Sequence, residues 1–196
     1  MRPSWSATIA WAGVFSVAVG LVIAGAQSSP SKRDAQPPST TTDPGEHDFV
    51  LQAAMANMAE IQLGHMATKK AQHPDVKKFA QTMIDDHVKA QQQLADAAYG
   101  AGIRWPTKLD ETHRQIQQRL SKLSDQQFDR EYMKAMIDGH RDVEKMLAAR
   151  VSTGEAQPDQ VSLSAKVNQW AAKTLPDVRA HLKEAEQVYG ELAKGE

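Results

Sequence analysis

The chain contains no cysteine. That one absence removes disulfides, thiolate metal sites, cysteine nucleophiles and a bacterial lipoprotein anchor together. Aromatic residues are scarce, at 6%, and no segment sustains the period-two alternation of a half-buried strand, so an all-α fold without a sheet is expected. Neither sign of charge dominates. The net charge is −1 and the lysines and arginines are scattered among acids, which leaves no electrostatic footprint for nucleic acid. The sequence also lacks a glycine-rich phosphate loop, an ordered Ser/His/Asp set and any cofactor fingerprint, so it names no catalytic residue and speaks against an enzyme more than for one.

What is present begins with a leader. Arg2 gives a short basic start, and Ile9 to Ala26 is almost wholly apolar or small, ending Ala24-Gly25-Ala26. This is the layout of a secretory signal over residues 1–26 with a small-x-small cleavage site. The alternative is an uncleaved N-terminal membrane anchor, since Trp5 to Ala26 reaches the roughly 20 residues a bilayer-spanning helix needs. Either way the remainder is expected to be exported, in the periplasm or elsewhere in the cell envelope, and to meet the membrane only through this segment. Residues 27–46 (QSSPSKRDAQPPSTTTDPGE) hold nothing apolar larger than alanine and read as a disordered Pro/Ser/Thr linker.

The rest, residues 47–194, reads as one helical domain. A first long helix is expected over about 47–71, with Asp48 as its N-cap and His73-Pro74 as its stop. A second opens on Pro74 and ends before Gly100. A short amphipathic helix over about 109–122 falls on the crossover. A third long helix opens at Ser124 with a capping box to Gln127. A polar loop at Gly154 to Asp159 precedes a final helix over about 160–193, kinked by Pro176, because an internal proline removes a bond and costs about 3 kcal/mol. Helices two and four echo each other weakly, Val76-Lys77-Lys78-Phe79-Ala80 against Val167-Asn168-Gln169-Trp170-Ala171. This pattern predicts an up-down four-helix bundle with a short extra helix on its central crossover.

Each long helix carries an apolar stripe whose members alternate by three and four residues. The stripes are Phe49, Ala53, Ala56, Glu60, Leu63, Ala67; then Val76, Ala80, Met83, His87, Ala90, Leu94; then Met133, Met136, His140, Val143, Leu147; then Val167, Ala171, Thr174, Val178, His181, Ala185, Val188, Leu192. One ionisable residue interrupts each: Glu60, His87, His140 and His181. A buried polar group without a partner costs roughly 2–7 kcal/mol, so four of them converging on one core need a cause. One cause is a mononuclear metal site of Glu60, His87, His140 and His181, with Asp177 and Glu144 placed one turn away to accept hydrogen bonds from ring N–H groups. Imidazole with carboxylate suits zinc, iron or copper. The other cause is a metal-free Glu–His network that fixes helix register. Asp129 and Tyr132 lie too far along the third helix to join, Asp129 about 16 Å from His140. They fit end-of-helix capping and a tyrosine hydroxyl tying down a loop. His47, His65, His73 and His113 lie off the stripes and read as solvated. Met83, Met133 and Met136 read as packing.

Taken together, Glu60-x-x-Leu63-Gly64-x-x-Ala67, Val76-Lys77-x-Phe79-Ala80-x-x-Met83-x-x-Asp86-His87, Phe128-Asp129-x-x-Tyr132, His140 and Leu175-Pro176-x-x-x-x-His181-Leu182 resemble the exported ferritin-like proteins of domain-of-unknown-function family 4142, over about residues 47–192. The resemblance implies a ferritin-like four-helix bundle in the bacterial envelope and no settled activity. The chain departs from di-iron carboxylate proteins, which use Glu-x-x-His on two helices. It has no such pair, and one core carboxylate is too few for that centre. Three roles therefore stand open: a non-catalytic metal-binding envelope protein, a structural or interaction module with a metal-free Glu–His network, and, less supported, a metal-dependent redox enzyme.

Overall fold

The computed structural model describes residues 44–153 and 162–194. The expected leader, most of the linker and the polar loop at Gly154 to Asp159 lie outside them. The described residues form five helices and no strand: α1 (Pro44–Lys70), α2 (Pro74–Ala97), α3 (Glu111–Ser121), α4 (Asp125–Thr153) and α5 (Leu163–Leu192). None of these helices is long and apolar enough to cross a membrane.

The four long helices pack as two hairpins, α1 with α2 and α4 with α5, laid so that α1 also touches α4 and α2 also touches α5. Hydrogen bonds fix their directions. At one end, the Asp129 carboxylate near the start of α4 accepts the backbone N–H groups of Gln72 (3.1 Å) and His73 (2.7 Å), just past the end of α1. At the other, Arg150 near the end of α4 pairs with Glu46 in the first turn of α1. The two helices are therefore antiparallel. Arg150 also bonds Asn168 and Ser164 of α5 and lies 4.9 Å from the centroid of the Phe49 ring, so one guanidinium ties three helix ends. Trp170 donates its indole N–H to the Ala90 carbonyl (3.1 Å) while His181 meets Asp86, so α2 and α5 are antiparallel too. The stretch after α2 returns along the bundle through α3, which packs on α1 and α4.

The stripes explain this packing. Nearly every expected core position is buried, with Ala56, Ala90, Val143 and Leu192 only partly so. One apolar cluster gathers around Phe79, Phe128, Tyr132 and Met133, and a second around Phe49, Leu94, Leu147 and Trp170. Gly64 allows α1 and α2 to approach closely, since a Cβ there would stand 2.8 Å from Ile84 Cγ1 and 3.1 Å from the Ala80 carbonyl.

Several local expectations are corrected. Helix α1 starts at Pro44, so Asp48 lies inside it, not at the cap, and residues 44–46 belong to the helix, not the linker. Proline suits a first helical turn and Glu46 suits the positive end of the helix dipole. The Ser124–Gln127 capping box does not form, because the Ser124 hydroxyl bonds the Asp125 carboxylate instead (2.8 Å). Pro176 does lie inside α5, as expected, and is exposed. The other starts follow ordinary capping chemistry: His73 Nδ1 accepts from Asp75 N–H, Asp110 from His113 N–H, and Ser162 from Ala165 N–H.

Candidate metal centre

His87 of α2, His140 of α4 and His181 of α5 meet between the two apolar clusters. Their ring centroids are 5.6 Å (His87–His140), 5.6 Å (His87–His181) and 5.5 Å (His140–His181) apart. One ligand nitrogen from each lies within 4.8 Å of those from the other two. All three side chains are buried.

Each ring is aimed by a different kind of partner. His140 Nδ1 is 2.8 Å from the Met136 carbonyl, one turn back on its own helix. A carbonyl only accepts, so Nδ1 carries the proton and Nε2 keeps its lone pair. His87 Nδ1 is 2.9 Å from Asn57 Oδ1. The Asn57 amide N–H donates to Gln91 (3.2 Å), which turns its oxygen toward the ring and again leaves Nε2 unprotonated. His181 Nε2 is 2.9 Å from Asp86 Oδ2, which leaves its Nδ1 free. The three nitrogens so released, His87 Nε2, His140 Nε2 and His181 Nδ1, are all buried and all without a hydrogen-bond partner. Buried polar atoms are overwhelmingly paired, so a triad of buried rings that each keep one unpartnered nitrogen could hold a metal ion.

Electrostatics prepare the same state. Burial, reinforced by the positive charge His140 and His181 would carry, lowers the His87 pKa to about 3. Burial lowers that of His140 to about 4, against the opposing pull of the Met136 carbonyl. Both rings are neutral at physiological pH, the form that binds metals.

Glu60, expected as a fourth ligand, is not brought into the triad. Its Oε1 stands 3.8 Å from His140 Nδ1, beyond hydrogen-bond range, and that nitrogen is already engaged with Met136. The carboxyl is drawn toward α4 at Gly139, where a Cβ would come within 3.2 Å of Oε1. Its other oxygen has no partner, and burial raises its pKa to about 8, so it is a neutral acid at neutral pH. Nor do the expected outer partners hold the rings. Glu144 is taken by Arg179 (2.8 Å), and Asp177, exposed, lines a cavity beside His181. The partners in place are Asp86 and Asn57. Asp86 neighbours His87 in sequence and so points away from it, toward His181 of α5. Asn57 sits one turn before Glu60 on a buried face, a signal the sequence did offer.

The remaining candidates resolve as structure. Asp129 caps the α1–α2 corner. The Tyr132 hydroxyl ties down no loop, being buried without a partner while its ring packs on Phe79 and Phe128. His73 and His113 serve helix starts, and His65 is exposed. His47, expected to be solvated, is partly buried and its Nε2 is buried without a hydrogen-bond partner, though it joins no metal-ligating group among the described residues.

Two solved structures share this fold. One is a DUF305 fragment from Deinococcus radiodurans (TM-score 0.63, 18% identity, covering 76% of this chain and 97% of that one). The other is CopM in its Cu(II)-bound form (TM-score 0.60, 18% identity, covering 74% of this chain and 96% of that one). No curated protein matches the sequence. The profile of one family does, across residues 29–188, and the chain belongs to that family, a domain of unknown function (DUF4142).

Proposed function

We propose that this protein is an exported, ferritin-like helical bundle that binds one transition-metal ion through His87, His140 and His181 and holds it without catalysis, as a sequestering protein of the cell envelope. The observation that carries the reading is a triad of buried imidazoles that each offer one ligand nitrogen within 4.8 Å of the others and each keep one nitrogen without a hydrogen-bond partner. Three neutral nitrogen donors suit copper, zinc or iron, with water completing the coordination. The Cu(II)-bound state of the similarly folded CopM brings copper forward. The ferritin-like reading is supported by the antiparallel pairs α1–α4 and α2–α5 and by the long return through α3. Export is supported by the signal-like composition of residues 1–26.

The alternative of a metal-free histidine network is disfavoured by the same orphan nitrogens, since a network would pair them. A redox enzyme is disfavoured by the absence of a carboxylate-rich ligand set. The test is elemental analysis of untagged protein equilibrated with Cu2+ or Zn2+ and freed of excess. About one ion per chain is expected, falling to none in His140→Ala and His181→Ala while circular dichroism stays helical. Wild-type protein that retains no ion would overturn the proposal and leave the register-fixing network.

A further inference from the structure

Of the three rings, one is held differently from the rest. His140 is anchored by a carbonyl of its own helix, so turning it away strands its own ring N–H in the core. His87 is anchored by Asn57, a buried amide itself held by Gln91. His181 is anchored by Asp86, whose side chain is 49% exposed. If His181 swings, water can take over both halves of its lost hydrogen bond, so this ring has the smallest barrier to moving.

A cavity lies on the same side. Between α2 and α5 is a recess of about 160 Å³ lined by Asp86, His87, Ala90, Asp177 and His181. It reaches two of the three rings, and its lining carries two carboxylates, Asp86 and Asp177, and two lysines, Lys89 and Lys173. A larger recess of about 430 Å³ lies across the bundle between α1, α3 and α4, but the site-side groups it meets are Glu60, Met136 and Gly139. That face backs onto His140, the ring least able to move.

We infer that the ion enters and leaves through the α2–α5 recess, that His181 is the ring that swings to admit it, and that Asp86 is the latch that holds this ring in the liganding pose. The inference rests on the metal-binding reading above and adds the route and the moving part. Asp86 is a positioning residue: it acts through His181 and controls rate.

The experiment is stopped-flow absorbance on the full chain, following Cu2+ uptake by metal-free protein and Cu2+ release to excess EDTA. Asp86→Ala should release the ion at least tenfold faster with stoichiometry still near one. Asp86→Asn, which keeps an acceptor oxygen for the ring N–H, should restore most of the slow release. Ala90→Phe, filling the recess, should slow uptake and release at least tenfold, whereas Ala56→Phe in the opposite recess should leave both within twofold. Because the Asp86 side chain is half exposed, its variants keep the fold even if the filled recess does not. Unchanged release in Asp86→Ala overturns the latch, and slowing by Ala56→Phe in place of Ala90→Phe overturns the route. Both results would leave the site intact, whereas wild-type protein that takes up no Cu2+ would remove the site and this mechanism together.

Discussion

Three carboxylates are buried in this bundle, Glu46, Glu60 and Asp129; the first is paired with Arg150, and the other two are opposites. Asp129 is 1% exposed and accepts three backbone N–H contacts, from Gln72 to both of its oxygens and from His73. Glu60 is 7% exposed, and one of its oxygens has no partner at all. Burial at equal depth thus has two meanings. Asp129 is an acceptor committed to a chain corner, where α1 turns into α2 against the start of α4. Glu60 keeps its proton because nothing nearby rewards losing it. The first is a structural fastening. The second is a strained polar group beside a cluster of neutral histidines, the kind of local conflict that folds tolerate mainly around functional sites.

Removing the fastening should have the largest effect. Asp129→Ala removes the acceptor of the Gln72 and His73 N–H groups at a part-buried corner and is expected to destabilise the metal-free protein by about 2–3 kcal/mol, read as a lower urea midpoint. The same change at Glu60 should go the other way. Glu60→Gln removes an acid that the unfolded chain ionises and the fold does not, and a gain of about 2 kcal/mol is expected at pH 8, after allowance for the amide's own buried atoms. A loss there would show that Glu60 has partners on a par with those of Asp129.

The pH profile sharpens the contrast. Between about pH 6.5 and 4, the unfolded chain protonates two histidines that the fold keeps neutral, His87 to about 3 and His140 to about 4. Over the same range the fold holds the Glu60 proton that the unfolded chain releases above 4.5. The unfolded state therefore binds one more proton net, and stability should fall by about 1 kcal/mol for each pH unit of acidification below 6.5. Above 6.5 only Glu60 differs, the sign reverses, and stability should fall by about the same slope as pH rises to about 8. Metal-free protein is thus expected to be most stable near pH 6.5. Thermal melts across this range check it, and Glu60→Gln should flatten the alkaline limb and steepen the acid one. The smallest effect is expected at Tyr132, whose buried hydroxyl has no partner: Tyr132→Phe should be neutral or stabilising by about 0.5 kcal/mol. A clear loss would reveal a hydroxyl partner.

Much of this was legible in the chain because helix periodicity is a strong local signal. The four stripes placed Glu60, His87, His140 and His181 on buried faces, and all four are buried. What periodicity cannot give is how far one helix has slid or turned against the next. Asp86 shows why. On its own helix it points away from His87, and only the placement of α5 turns that direction into a contact with His181. Glu60 fails as a ligand for a related reason, since the space at Gly139 draws it toward α4. Glu144 is lost to Arg179, a competitor on the facing helix. The capping errors are simpler: Pro44 opens α1 earlier than Asp48 would, and Ser124 finds a neighbouring carboxylate before it finds the helix.

His140 has one more property that follows from its hydrogen bond to Met136. Donor and acceptor belong to the same rod, so this ring needs no neighbour to aim it. Transplanted into an unrelated bundle, the Met136–His140 turn would carry a ready-oriented imidazole with it. The other two rings travel only in pairs, His87 with Asn57 and His181 with Asp86. A redesign that copied three histidines without those companions would reproduce the composition of the centre and lose its aim.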